Sequence, residues 1–267
     1  ARGNYATINS LNMYYEIHGE GFPLVILHGG FATIGMFFNI LPRLSATRQI
    51  IAVEQQAHGH TADIERELRF EYMADDTAAL LNHLGMKQAD IFGYSEGGTV
   101  ALYLAMRHPG LVRKLALASA IYHPDGYFPG IMDGLRHASP DGFPPIMRES
   151  YERVAPDPQG WPRLVAKAAN QASEWQGLRP EEVQFINVPA LVAVADSDII
   201  RFEHTQELSR LLHAHLVVLP NSDHVSYMVA NSEGLLSHLI SFLNAPYQKR
   251  SEPGVRMAKV KKEGGDS

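Results

Sequence analysis

The sequence predicts an α/β protein: a mostly parallel sheet covered by helices on both faces. Three observations carry that prediction. Short, unbroken apolar runs recur along the chain, such as Leu24-Val25-Ile26-Leu27 and Ile50-Ile51-Ala52-Val53, and runs of this kind suit strands buried on both faces. Segments with helical spacing alternate with them, which implies parallel strands joined by helical crossovers. With 267 residues, 45% of them hydrophobic, the chain fits one domain, or one domain carrying an insertion, around a large core.

The elements follow in order. Residues 5–9 and 12–18 are β-rich and flank Asn9-Ser10, which reads as a hairpin. Gly19-Glu20-Gly21 breaks the chain before the run at 24–27, which ends in His28-Gly29-Gly30. After the run at 50–53, Met73, Thr77, Leu80, Leu81 and Leu84 keep helical spacing until Gly85 stops them. Asp90-Ile91-Phe92-Gly93 is the next strand, and Val100, Ala101, Leu104 and Ala105 mark a helix that starts near Gly97-Gly98 and ends at Pro109-Gly110. Strands follow at 114–118 and 190–195, then a helix on Leu208, Leu211 and Leu212. The run Leu216-Val217-Val218-Leu219 precedes a last helix on Leu235, Leu236, Leu239, Ile240 and Leu243.

Residues 121–187 break this rhythm. They hold nine prolines and both tryptophans, Trp161 and Trp175, with no strand pattern. They read as a helical cap inserted into a core made of residues 1–120 and 188–247. Residues 248–267 are polar, with six basic and three acidic side chains, and read as a disordered tail.

The formal net charge is −6, which argues against a nucleic-acid binder. The absence of cysteine excludes disulfides, thiolate metal sites and thiol catalysis. No apolar run nears the roughly 18 residues of a membrane-spanning helix, and residues 1–19 lack a signal-peptide pattern, so a cytoplasmic protein without membrane partners is expected, a removed leader aside. The oligomeric state is left open.

The chemistry concentrates in Gly93-Tyr94-Ser95-Glu96-Gly97, a G-x-S-x-G motif between an apolar strand and a helix. A nucleophile on so sharp a turn needs small residues two before and two after it, or strand and helix collide. Together with His28-Gly29-Gly30 after an earlier strand and a late Asp and His, the motif resembles the α/β-hydrolase superfamily over residues 5–120 and 188–245. The resemblance implies an α/β-hydrolase fold in which Ser95 is the nucleophile, His224 its base and an aspartate the orienter of His224. Ala195-Asp196-Ser197-Asp198 matches the spacing of the family's acid loop, which favours Asp198, with Asp196 as the alternative. Asp223 is read as a turn residue. The oxyanion would be held by the backbone N–H groups of Glu96 and of Gly30, with Phe31 the neighbouring candidate for the second donor.

For the substrate site, Phe31, Met36 and Phe37 are expected on one wall, and Tyr122, Phe128, Met132, Trp161 and Trp175 on the cap side. Such a pocket would suit a bulky apolar ester or lactone, a macrolactone among them. Neither metal nor organic cofactor is expected. His58-Gly59-His60 with Asp63 fails as a metal run because Ala62 and Ile64 stand where ligands belong, and no G-x-G-x-x-G follows the first parallel strand. The resemblance leaves three alternatives to an esterase or lactonase: a cofactor-free haloperoxidase or perhydrolase, a carbon–carbon bond hydrolase, and a non-enzymatic small-molecule receptor.

Overall fold

The computed structural model describes residues 3–248; apart from Gln248, the tail expected to be disordered lies outside them. Its eight strands are β1 (Asn4–Ile8), β2 (Leu11–His18), β3 (Pro23–Leu27), β4 (Gln49–Val53), β5 (Ala89–Tyr94), β6 (Val112–Ala118), β7 (Ala190–Ser197) and β8 (His215–Asp223). They form one sheet in the order β1-β2-β4-β3-β5-β6-β7-β8. β2 runs antiparallel to β1 and β4, and all pairs from β4 to β8 are parallel. Asn9 and Ser10 both take positive φ, 48° and 69°, as the two-residue turn of a tightly twisted hairpin requires.

The apolar runs bury both faces because successive side chains point oppositely. Val25 and Leu27 of β3 join the core that includes Leu80, Val100 and Leu208 from the helices Phe70–His83, Glu96–Arg107 and Phe202–Leu212. Leu24 and Ile26 enter the other core, with Leu44 and with Leu235, Leu239 and Leu243 from the helix Glu233–Asn244. That last helix is fastened at its end: Lys114 Nζ donates to the carbonyls of Phe242, Leu243 and Ala245, acceptors that a helix C-terminus leaves open.

The chain passes from β3 outward to β4, then crosses back to β5 on the other side of β3. Such a reversal opens a crevice at the carboxyl ends of the strands, where open α/β sheets bind ligands. The loops after β3, β5, β7 and β8 meet there.

Between β6 and β7 the chain forms helices and no named strand: Ile131–Arg136, Pro145–Val154, Trp161–Glu174 and Pro180–Gln184. Trp161 anchors this excursion. It is fully buried, its indole N–H donates to the Pro140 carbonyl at 2.9 Å, and its ring packs against Phe31, Phe143 and Tyr151. It is therefore an anchor between insertion and core, and not the pocket residue expected from the sequence. Truncating Trp161 to Ala should lower unfolding free energy by about 3–5 kcal/mol, measured by urea titration. A loss below about 1 kcal/mol would show that the site collapses around the missing ring.

Candidate active site

The turn after β5 places Ser95 at the crevice. Its φ and ψ are 53° and −120°, a strained pair for a side chain bearing Cβ. The neighbouring glycines permit it. A Cβ on Gly93 would stand 2.3 Å from the Gly97 carbonyl oxygen, and one on Gly97 would stand 2.2 Å from the Leu27 oxygen. Either atom would drive the helix Glu96–Arg107 off the sheet.

Ser95 Oγ lies 3.0 Å from His224 Nε2. On the far side of the ring, His224 Nδ1 is 2.7 Å from Asp198 Oδ1. Nδ1 faces a carboxylate and so carries the proton, which leaves Nε2 to accept from the serine hydroxyl. Burial by itself would raise the Asp198 carboxyl, but hydrogen bonds from His224, from the Ser119 hydroxyl and from the Ala195 N–H hold it below the usual carboxylate range.

Two further residues complete this network and carried no signal in the sequence. Ser119, just past β6 at φ 50°, donates to Asp198 Oδ2, and Tyr227 Oη lies 2.5 Å from Ser119 Oγ. Since the Ser119 proton points at the carboxylate, Tyr227 must donate to Ser119. Tyr94 donates to the His224 carbonyl, which fixes the loop after β8. The other aspartates face elsewhere. Asp196 accepts the N–H groups of Asn221 and Ser222, and Asp223 accepts those of Val225 and Ser226.

The loop after β3 forms the opposite lip. His28 Nδ1 donates to the Gly29 carbonyl and its Nε2 accepts from the Gln55 N–H. Burial pushes His28 down to about 4, so it is a neutral brace. Met36 Sδ accepts the Gly29 N–H. The N–H groups of Gly30 and Phe31 meet no acceptor among the described residues, and Phe31 takes φ 61°. Glu96 is the first residue of its helix, where an N–H has no intrahelical partner. These donors border the space above Ser95.

A cavity of about 810 Å³ opens there, lined by both the core and the insertion. Of the residues expected in it, Phe31, Met36, Met132 and Trp175 line it, as do Ser95, Glu96, Gly30 and His224. Three expectations are corrected. Phe37 is fully buried against Phe92, because the turn Ile34–Phe37 points it into the core while Met36 and Phe38 face the cavity. Tyr122 is buried, stacked on His204 and bonded to Glu207. Phe128 is half exposed outside the cavity. The sequence reading missed Phe143 and Met147 on the insertion, as well as Tyr127, which line the cavity.

The remaining histidine cluster is dispersed. His60 bonds Glu54, and Asp63 pairs with Lys167 and Arg163 of the helix Trp161–Glu174. His58 Nδ1 lies 2.9 Å from the Gln56 carbonyl, and its Nε2 lies 3.8 Å from Glu96 Oε2. Glu96 Oε2 has no hydrogen-bond partner, and burial pushes that carboxyl up to about 7.

The profile of the alpha/beta hydrolase fold matches residues 23–153. A Caulobacter vibrioides protein provisionally named a carbamate hydrolase (RutD) is 30% identical over 196 residues, 68% of this chain and 70% of that one. The pimeloyl-[acyl-carrier protein] methyl ester esterase of Neisseria meningitidis is 28% identical over 256 residues, 86% of this chain and 93% of that one. Among solved structures, a thermophilic esterase from Thermogutta terrifontis superposes with a TM-score of 0.77 at 22% identity, covering 93% of this chain and all (100%) of its own. The enol-lactonase of Burkholderia xenovorans LB400 gives 0.73 at 21%, covering 90% and 99%. At these identities the two structures speak to the fold.

Proposed function

The chain belongs to the alpha/beta hydrolase family, and from that premise we propose that it is a serine hydrolase cleaving a carboxylic ester or lactone through an acyl-enzyme. The observation that carries this reading is the unbroken hydrogen-bonded path from Ser95 Oγ through His224 to Asp198, at 3.0 and 2.7 Å. Names of relatives support the leaving-group chemistry: a carbamate hydrolase and a methyl ester esterase both act on acyl groups bonded to a heteroatom.

In this mechanism Ser95 Oγ attacks the carbonyl carbon as His224 Nε2 takes its proton. Negative charge grows on the carbonyl oxygen, and the N–H groups of Glu96 and of Gly30 receive it. Asp198 keeps the imidazole in the productive tautomer and stabilises its charged form. His224 then passes the proton to the leaving alkoxide, the ester C–O bond breaks, and the acyl-enzyme remains. Water attacks that acyl group with His224 again as base, releasing the acid and restoring Ser95. Ser95, His224 and Asp198 accommodate each proton movement, so the reading needs no metal or organic cofactor.

The cavity walls of Phe31, Met36, Met132 and Trp175 favour a bulky, mostly apolar group. A panel of methyl esters, lactones, thioesters and amides tests the reading. Esters and lactones should be turned over, with kcat/KM rising as the acyl group grows. Cleavage of a carbon–carbon bond beside a ketone, with every ester left intact, would overturn it in favour of the carbon–carbon hydrolase alternative.

A further inference from the structure

Glu96 is an unusual lining for this cavity. It is the one acidic side chain among the described residues that line it, and most of the others are apolar. Its side chain keeps 17% of its surface exposed, and that part opens on the cavity it lines. Oε2 is buried and makes no hydrogen bond.

Among the described residues no cation serves it. The nearest candidate is His58, at 3.8 Å. That ring donates Nδ1–H to Gln56, and burial pushes it down to about 4, so it presents a lone pair toward Glu96 and not a positive charge. Tyr127, whose hydroxyl is raised by burial and then by the nearby Glu96 and Asp198, brings no charge of its own. Arg153 also lines the cavity but is exposed on the helix Pro145–Val154 and pairs with no acid there. A carboxylate removed from water without a partner is costly, so this carboxyl takes up a proton near neutral pH unless an arriving positive charge holds it ionised.

We propose that Glu96 is the recognition residue for an ammonium group on the substrate, so that the chain prefers esters whose acyl part carries an amine close to the scissile carbonyl. The proposal rests on the serine hydrolase reading for its placement of the carbonyl. The Glu96 carboxyl carbon lies 3.5 Å from where a Cβ on Gly30 would stand, so the carboxylate sits beside the backbone N–H groups that receive the oxyanion in that mechanism. An amine on the acyl C2 is two bonds from the carbonyl carbon and reaches that position. On the alcohol side the ester oxygen and further carbons intervene. A neutral donor such as a hydroxyl would satisfy the hydrogen bond but leave the charge uncompensated.

The experiment pairs two ligands that differ by this one group: the methyl esters of phenylalanine and of 3-phenylpropanoic acid, near pH 7. Binding is measured by calorimetry on Ser95→Ala, with and without Glu96→Gln, a substitution that keeps shape and the backbone N–H. Ser95→Ala should bind the amino ester at least about tenfold more tightly than the neutral one, and the double variant should bind both about equally. With Ser95 present, the kcat/KM ratio of amino to neutral ester should fall about tenfold on Glu96→Gln. Equal binding of the two esters to Ser95→Ala, or a preference that survives Glu96→Gln, overturns the proposal. Hydrolysis of neither ester by the wild type would count against the hydrolase reading instead, while the binding comparison still decides the role of Glu96.

Discussion

Replacing Ser95 by alanine is expected to lower kcat on any cleaved ester by several orders of magnitude, up to about 10⁶-fold. The size follows from the division of labour at the site. Ser95 Oγ is the atom that bonds to the acyl group, and no other hydroxyl stands within hydrogen-bond reach of His224 Nε2 among the described contacts. What survives the substitution is polarisation of the carbonyl by backbone N–H groups and orientation in the cavity, which alone give slow water attack. The fold should be kept. Alanine accepts the 53° φ at the same cost as serine, and Gly93 and Gly97 still hold strand and helix together. The measurement is turnover per folded protein, with the thermal midpoint recorded alongside. Wild-type rates from Ser95→Ala would remove the nucleophile from the mechanism.

Much of this is legible in the sequence itself, for reasons that differ from element to element. β3, β4 and β5 were readable because a parallel strand buried on both faces reads as a near-continuous apolar run, as in the run 24–27, with Asp90 of β5 tolerated by its pairing to Arg48 and Arg113. The nucleophile turn was readable because close backbone approach admits only glycine at 93 and 97. The cavity walls were harder. Met36, Phe37 and Phe38 are consecutive apolar residues in and just after a single tight turn, and only the packing of Phe37 on Phe92 tells which of them faces inward. Tyr122 and Phe128 flank a β-bridge between Tyr127 and Ile200 that no local pattern announces. Ser119 and Tyr227 lie 108 residues apart in sequence, and neither has a neighbour that marks it. The turn at Ser95, fixed by backbone sterics, leaves a trace in the sequence, whereas Ser119 and Tyr227, fixed by a long-range hydrogen bond, do not.

Asp198→Asn should cost about 10⁴-fold in kcat, while Asp196→Asn should leave turnover within a few-fold of wild type. The two aspartates are separated by one residue at the end of β7, and the sequence favours Asp198 with Asp196 as the alternative. The reason for the difference lies in who donates to which oxygen. Asp198 Oδ2 receives the Ser119 hydroxyl and the Ala195 N–H, and Oδ1 receives His224. In the amide variant, two donors compete for the single carbonyl oxygen at the Oδ2 position and win it over one. The NH₂ group is then turned toward His224 Nδ1. An imidazole facing a donor shifts its own proton to Nε2, and Nε2 can no longer accept from Ser95. The ring keeps its place but holds the wrong tautomer, so the variant should fold normally and fail in chemistry. Asp196, by contrast, sits exposed and holds the backbone of Asn221 and Ser222, and an amide there keeps an acceptor for one of them. Turnover of both variants on the same ester, together with their thermal midpoints, separates the two roles. Activity retained by Asp198→Asn and lost from Asp196→Asn would assign the orienting carboxylate to the other residue.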